Sequence, residues 1–578
     1  MTLTGAEALV KILAAERVRF AFGLVGGKLA PLLHAVAREP GIRYIGVRHE
    51  SSAAMMAAAA FAGSGQIAVA FGEMGPGGLN LAAGTGVAWN NNLAALLITT
   101  NQHRAACYPH SGMFMDLDTV SVFKPITKWN AVVHDARRIP ELVRRAFRVA
   151  LSGRPGPVHL DIPQDVLNST CDVAADEFDL APERYRPTLR PAASHEAIAA
   201  AADLLRQSQR SLIVAGGGVV ASDAVPALRA LAARLGAPVV ATQMALGVVP
   251  SDSPHFIGHG GIIGGSSIHK AFQEADTILA IGCRFSSWMW DEAGALARRY
   301  HCLININIDP EALGAASPHE VAIQADALLA LDELLKAVET APAGLDRDWL
   351  PSLQGERQQE AQRRAAAIAT DTESVMHPGA LAEAIAAALP GEAIAVYDGG
   401  HTSFWSNDTV PVREVRTRFH DPGMSQLGFG LPYALALRAQ HPDKLVVNIT
   451  GDGAFGFTLP ELDTARRYRL PIVTIIHNNA AWGIIRAGQQ AQFGFEMGTS
   501  LDGSDYAAIA RGFGCHGETV SQPQDFAAAL QRAVASGLPA VIDCQTRFVP
   551  HPALPVFGRM NQYGFDALTR TPSNPQRK

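Results

Sequence analysis

The chain has 578 residues, of which 48% are hydrophobic and 18% charged, with a formal net charge of −6. Length predicts about three or four domains with large buried cores, and the mildly acidic balance without a basic stripe excludes a nucleic-acid partner. No uncharged apolar run reaches the ~18 residues of a membrane span. The six cysteines, Cys107, Cys171, Cys283, Cys302, Cys515 and Cys544, are scattered without a CxxC pair, which points to reduced thiols rather than a disulfide framework or a zinc site. A cytoplasmic protein without membrane contact is expected.

The first stretch, "TLTGAEALVKILAAERV", reads as an amphipathic helix rather than a secretory leader. Glu7, Lys11 and Glu16 interrupt its apolar positions, and Thr4 is a fitting N-cap. Over residues 1–170 helical patterns alternate with the short apolar strands "YIGVRH", "QIAVAF", "ALLITT" and "PVHLDI". A linker is expected around 170–192. A second unit over 192–340 carries the strands "SLIVAGGG", "PVVAT", "TILAIG" and "LININID". Residues 340–375 are polar and helix-prone, as suits a connecting helix and crossover. A third unit over 375–545 carries "AIAVYDGG", "KLVVNITGDG", "PIVTIIHNN" and "AVIDC". The Pro- and aromatic-rich tail 546–578 lacks periodicity and is expected to pack on another surface. The pattern predicts the α/β class, with three doubly wound parallel sheets and no repeat visible in the sequence.

The third unit carries the clearest chemical signal. Gly-Asp-Gly at 451–453 ends one strand, and Asn478–Asn479 ends the next, with a helix-like crossover between. Ligands bind at the C-terminal ends of strands in such sheets, and glycines let the backbone come close to them. An Asp carboxylate and an Asn carbonyl are hard oxygen ligands. They suit Mg²⁺, which takes few protein ligands and fills its octahedron with phosphate oxygens and water. Asp452 and Asn479 are therefore expected to converge at one sheet edge.

This pattern resembles the diphosphate-binding motif of thiamin diphosphate (ThDP) enzymes. The segments "FGLVGGKLAPLLHAV", "RHESSAAMMAAAAFA", "GEMGPGGLN", "KPITKWN", "SGRPGPVHLDIPQDV" and "GFGLPYALAL" extend the resemblance over nearly the whole chain. They look like the acetohydroxyacid synthase and benzaldehyde lyase branch of those enzymes. By that resemblance Asp452, Asn479 and the backbone carbonyl of Ala481 hold Mg²⁺, and Gly453 and Ala454 belong to the diphosphate motif. Glu50 matches the catalytic glutamate set against the cofactor's pyrimidine, with Pro76 and Asn80 lining that side. Gly400, His401 and Thr402 face the diphosphate. Leu427 lies under the bent cofactor, and the Ser425 carbonyl receives its amino group. Gly483 and Ile484 touch the diphosphate and thiazolium region. The first unit then binds the pyrimidine, and the third binds the diphosphate and Mg²⁺. The resemblance also implies a homodimer or homotetramer with active sites at the dimer interface.

In the middle unit, "LIVAGGGVV" (Gly216, Gly217, Gly218), "AIGCRFS" (Arg284) and "NINIDPEAL" (Asp309) are a strand–glycine loop and two strand ends. Glycine backbone can meet a phosphate, Arg284 can pair with one, and Asp309 can accept from a ribose hydroxyl. Relatives bind ADP or FAD in this domain, and an empty domain is the alternative.

The reaction is read from departures. Synthases carry an "FQE"-like segment where this chain has "MFMDLD", with Phe114, Met115 and Asp116, and a tryptophan where it has Gly488. The benzaldehyde lyase histidine aligns with Lys28. With the tail, these features look most like bacterial 2-hydroxyacyl-CoA lyases, which split a 2-hydroxyacyl-CoA into formyl-CoA and an aldehyde or ketone. In that reading Glu496 is a general base toward the substrate hydroxyl and the tail is a lid. Against it, "DGGHTSFW" replaces the "EGANTMD"-like segment of oxalyl-CoA decarboxylases and peroxisomal lyases. The alternative is acetolactate synthase-like condensation of 2-oxo acids such as pyruvate, with FAD in the middle domain.

Overall fold

The computed structural model describes residues 1–107, 109–187, 189–261, 263–286, 289, 302–315 and 317–554. The first unit contains β1 (Thr2–Thr4), β2 (Phe20–Gly23), β3 (Arg43–Gly46), β4 (Val69–Gly72), β5 (Leu96–Asn101), β6 (Trp129–Val132), β7 (Val158–Pro163) and β8 (Thr170–Asp172). Six of them form a parallel sheet in the order β3-β2-β4-β5-β7-β6. β1 and β8 pair antiparallel, so the expected linker begins as a strand tied back to the N-terminus. Thr4 caps the first helix as expected, in a full capping box. Its hydroxyl accepts from the Glu7 N–H at 3.2 Å, and the Glu7 carboxylate accepts from the Thr4 N–H at 2.8 Å.

The second unit contains β9 (Ser211–Ala215), β10 (Val239–Ala241), β11 (Phe256–His259), β12 (Thr277–Ile281), β13 (Cys302–Asn307) and β14 (Val321–Gln324), in the order β11-β10-β9-β12-β13-β14. The helix Trp349–Ala369 occupies the expected connecting segment. The third unit contains β15 (Ile394–Tyr397), β16 (Arg418–His420), β17 (Val446–Gly451), β18 (Val473–Asn478), β19 (His516–Val520) and β20 (Ala540–Gln545), in the order β16-β15-β17-β18-β20-β19. All pairings within these sheets are parallel, and central strands such as β5 and β7 are buried along their length, as helices on both faces require. The first and third sheets share one strand order, a structural repeat without a repeat in sequence. Among the described residues no helix is long and apolar enough to cross a membrane.

One core joins the first and third units. The helix Glu50–Ser64 is buried all round over Ala53–Ala60, and it shares a cluster with Leu81, Leu431 and Leu437. A helix enclosed on every side needs no polar face, and small residues let its neighbours come close. A Cβ on Gly84 would stand 2.1 Å from the Ser51 carbonyl oxygen, and one on Gly63 would stand 2.8 Å from Leu437 Cδ2.

Gly84→Ala therefore forces backbone apart and should destabilise the chain by roughly 1–3 kcal/mol. Gly355 lies inside the helix Trp349–Ala369 with nothing within 4 Å of an added Cβ. Gly355→Ala should stabilise by about 0.5–1 kcal/mol. Urea unfolding of both variants measures the contrast.

Candidate active site

β17 and β18 are neighbours, with Gly451 registered opposite His477. Asp452 opens the helix that follows β17 and is 3% exposed. Its Oδ1 accepts from the Gly453 N–H at 3.0 Å and its Oδ2 from the Ala481 N–H at 3.3 Å. Ala480, at a φ of 50°, turns the chain so that Ala481 comes back to Asp452. Burial pushes the Asp452 pKa up to about 6, and the groups that hold the carboxylate are backbone amides rather than cationic side chains. The two asparagines have different surroundings. Asn478 Nδ2 donates to Asp543 Oδ1 at 3.0 Å and to the Ser504 carbonyl at 3.1 Å. Asn479 Oδ1 is buried and has no hydrogen-bond partner. A buried carboxylate lacking a counter-charge, with an orphaned amide oxygen beside its turn, is a donor set that fits Mg²⁺.

The end of β15 meets this edge. Gly400, at a φ of 101°, leads into the helix His401–Thr409. Close approaches show the convergence of the loops. A Cβ on Gly451 would stand 3.1 Å from Thr402 Oγ1, one on Gly483 2.8 Å from His401 Nδ1, and one on Gly453 2.5 Å from the Trp482 ring. Ala454 is buried beside Gly453. His401 is buried, which holds its pKa down to about 4, so the ring is neutral. Its Nε2 lies 2.9 Å from the Val549 carbonyl oxygen. A carbonyl only accepts, so Nε2 carries the proton and Nδ1 is left bare toward Gly483. Ile484 packs with Phe404 and Leu554.

Asp398 holds the loops of this edge together and was given no role in the sequence reading. It accepts from the Gly399 N–H at 2.7 Å, the Gly428 N–H at 3.0 Å and the Thr450 hydroxyl at 3.1 Å, and burial pushes its pKa up to about 7. Leu427 Cδ2 and the Ser425 carbonyl oxygen lie 2.7 and 3.5 Å from a Cβ built on Gly399. The two residues therefore border the same glycine turn.

In the first unit Glu50 opens its helix and is 5% exposed. Its Oε2 accepts from Asn80 Nδ2 at 3.0 Å, and a Cβ on Gly77 would stand 3.0 Å from its Oε1. Pro76 is exposed at the first turn of the helix that carries Asn80. Within the one chain no hydrogen bond among the described residues joins Glu50 to the Asp452–Asn479 turn. Glu73, also unassigned from sequence, accepts from the Lys28 N–H at 3.0 Å and the Leu29 N–H at 3.4 Å. Lys28 Nζ in turn donates to Gln164 Oε1 at 2.5 Å.

Glu496 lies on an exposed loop. Its carboxylate is 2.6 Å from Arg486 Nε and accepts from the Thr499 hydroxyl at 2.9 Å. The described part of the tail is anchored beside the site, with the Thr546 N–H donating to the Asn478 carbonyl at 2.9 Å and Arg547 paired with Asp371 at 2.7 Å. The rest of the expected lid, 555–578, lies outside the described residues.

A cavity of about 870 Å³ lies where the three units meet. Gly216, Gly217, Arg284 and Asp309 all line it. The glycines also have a packing reason, because a Cβ on Gly216 would stand 2.2 Å from the Gly282 carbonyl oxygen. Arg284 donates to the Asn90 carbonyl, and Asp309 pairs with Arg154 at 3.3 Å.

Comparison with known proteins separates the readings. Models of the thiamine pyrophosphate enzyme match in three places: the N-terminal TPP binding domain at 3–122, the central domain at 198–334 and the C-terminal TPP binding domain at 398–544. The chain is 31% identical over 547 residues to the acetolactate synthase isozyme 1 large subunit of Escherichia coli (strain K12), covering 93% of both chains. It is 29% identical to the probable acetolactate synthase large subunit of Methanocaldococcus jannaschii, over 94% of this chain and 91% of that one. It is also 29% identical to the isozyme 2 large subunit of E. coli, over 93% and 95%. These relatives lend no support to the 2-hydroxyacyl-CoA lyase reading and fit the acetolactate synthase-like alternative better. With one matched domain on each parallel sheet and relatives aligned along nearly its full length, the chain belongs to the thiamine pyrophosphate enzyme family.

Proposed function

We propose that the chain is a Mg²⁺- and ThDP-dependent carboligase that condenses 2-oxo acids such as pyruvate in the manner of an acetolactate synthase. The full-length similarity to acetolactate synthase large subunits carries this reading. The presence of Glu50, Asp452 and Asn479 supports it. When bound, ThDP supplies the carbon nucleophile and electron sink that such a condensation needs.

The chain's own residues have four tasks in this proposal. Asp452, Asn479 and the Ala481 carbonyl hold the cation. Gly400, His401, Thr402, Gly453, Ala454, Gly483 and Ile484 surround the diphosphate, where bare glycines admit it. Glu50 offers a carboxylate to the pyrimidine ring, oriented by Asn80. Leu427 supports the bent cofactor, and the Ser425 carbonyl accepts from its amino group. Glu50 of one copy serving the Asp452 turn of another would complete the site in a homodimer, as the family resemblance implies. The cavity beside Gly216, Arg284 and Asp309 is the proposed place of FAD or ADP, since about 870 Å³ is within the range of small-molecule sites. The Arg486 pairing of Glu496 supports a part in holding its loop rather than in proton transfer.

The deciding experiment offers the Mg²⁺–ThDP-loaded protein pyruvate and a 2-hydroxyacyl-CoA together and identifies products by mass. Acetolactate is expected, and formyl-CoA with the pyruvate untouched would sink the proposal. Glu50→Gln should lower turnover by about 10²–10⁴-fold without a comparable loss of cofactor affinity. Asp452→Asn and Asn479→Ala should each weaken Mg²⁺–ThDP binding by roughly 10–100-fold or more, read by calorimetry.

A further inference from the structure

The segment between the Gly-Asp-Gly and Asn-Asn signatures does more than cross from one strand to the next. Its second helix, Glu461–Arg467, points its first residue out of its own unit. Glu461 is 1% exposed. Its Oε1 accepts from the Arg48 N–H at 3.1 Å and the His49 N–H at 3.2 Å. Its Oε2 accepts from the Arg48 N–H at 3.1 Å and the Thr464 hydroxyl at 2.6 Å. The same helix grips this turn at further points, the Thr464 hydroxyl lying 3.4 Å from the Gly46 carbonyl oxygen. Arg467 Nη2 donates to the Gly46 carbonyl at 2.7 Å, and Asp463 lies 3.7 Å from Arg48 Nη1. The turn so held runs from the end of β3 to the first residue of the next helix, and that residue is Glu50.

We infer that Glu461 is a positioning residue for Glu50: its buried carboxylate fixes the Arg48–His49 backbone and with it the placement of the Glu50 side chain. The inference rests on the proposed role of Glu50. The physical need is specific. A carboxylate this buried requires donors, and it takes them from the two residues immediately before Glu50. Pro460 and the helix Asp452–Thr458 precede Glu461 directly, so one short stretch links the proposed cation turn to the Glu50 turn of the same chain. Asn80 orients the Glu50 carboxylate from one side, and Glu461 sets the backbone on which it is mounted.

The test compares Glu461→Ala and Glu461→Gln in the full chain by amide hydrogen exchange, with and without Mg²⁺–ThDP, and by steady-state kinetics. Glutamine keeps Oε1 for both amides and can donate its Nε2–H to the Thr464 hydroxyl, giving up only the second acceptor of the Arg48 N–H. Alanine removes the acceptor. Exchange at 46–50 should quicken at least ~10-fold in Glu461→Ala, already without cofactor. Its kcat should fall by about 10–100-fold, while KM and Mg²⁺–ThDP affinity stay within about 3-fold. Glu461→Gln should restore both readouts. If Glu461→Ala does not fold, Glu461→Asp, one methylene short of the amides, takes its place with the same expectations. An unchanged kcat alongside faster exchange would overturn the inference. So would a loss that glutamine does not rescue, or cofactor affinity falling in step with kcat. Failure of the wider reading looks different. Wild-type protein would then form no acetolactate, and the kcat comparison runs on the thioester it does turn over. Glu50→Gln at wild-type rate would remove both Glu50 and Glu461 from their roles.

Discussion

The rest of the molecule depends on one helix that has no outer face. Glu50–Ser64 runs between the first and third units, and its alanines give the neighbouring helices nothing to avoid. Interiors are packed as tightly as organic crystals, so a contact made of small residues fixes orientation closely. Gly84 against the Ser51 carbonyl and Gly63 against Leu437 mark how near the backbones come. The first unit therefore cannot shift against the third without opening this core. Glu50 sits at the end of that helix, and its position follows from packing set by residues of another unit.

The same economy appears at the loops. Each sheet has a strand-order reversal beside its first strand, and there the chain leaves a crevice at the strand ends. In the first sheet the crevice lies between β2 and β4, and Glu73 spans it by accepting from Lys28 and Leu29. In the third it lies between β15 and β17, and Asp398 spans it through Thr450. In the middle sheet no carboxylate among the described residues takes that part. Gly216 and Gly282 come together instead, and the large cavity opens beside them. A carboxylate across the crevice fixes the loops that face a ligand, while bare glycine leaves room for one.

How much of this was legible in the sequence follows the same physics. Strands buried on both faces announce themselves as apolar runs, and "ALLITT", "PVHLDI", "TILAIG", "KLVVNITGDG" and "PIVTIIHNN" each contain a strand of a sheet interior. The strands that went unseen are mostly edges. β6, β11, β14, β16 and β19 end their sheets, need apolar residues on fewer sides and are three to five residues long. β2 was also missed, because "FAFG" is too short to stand out. In the candidate site the Asp452–Asn479 convergence was readable because a single crossover joins the two ends. Asp398, Glu73 and Glu461 were not, because their partners come from distant parts of the chain and no spacing signals them. The reaction was the least legible, since it was read from departures at Phe114 and Gly488, and an absent side chain does not state what fills its place.

The carboxylates also suggest how structure and chemistry can be told apart in such a site. Asp398 and Glu461 are enclosed, and each carboxylate oxygen meets an N–H or hydroxyl from another segment. Their demands are met within the fold, and their work is to hold it. Asp452 is also enclosed and takes the Gly453 and Ala481 amides, but the neighbouring Asn479 oxygen has no donor. Glu50 is held through Oε2 by Asn80, while Oε1 faces the bare Gly77. Leaving a buried acceptor unfilled costs free energy that folding alone gives no reason to spend. One such unfilled oxygen, that of Asn479, lies at the turn proposed for the cation. A bound cation would satisfy it, and its binding would then be part of what completes the native electrostatics of the chain.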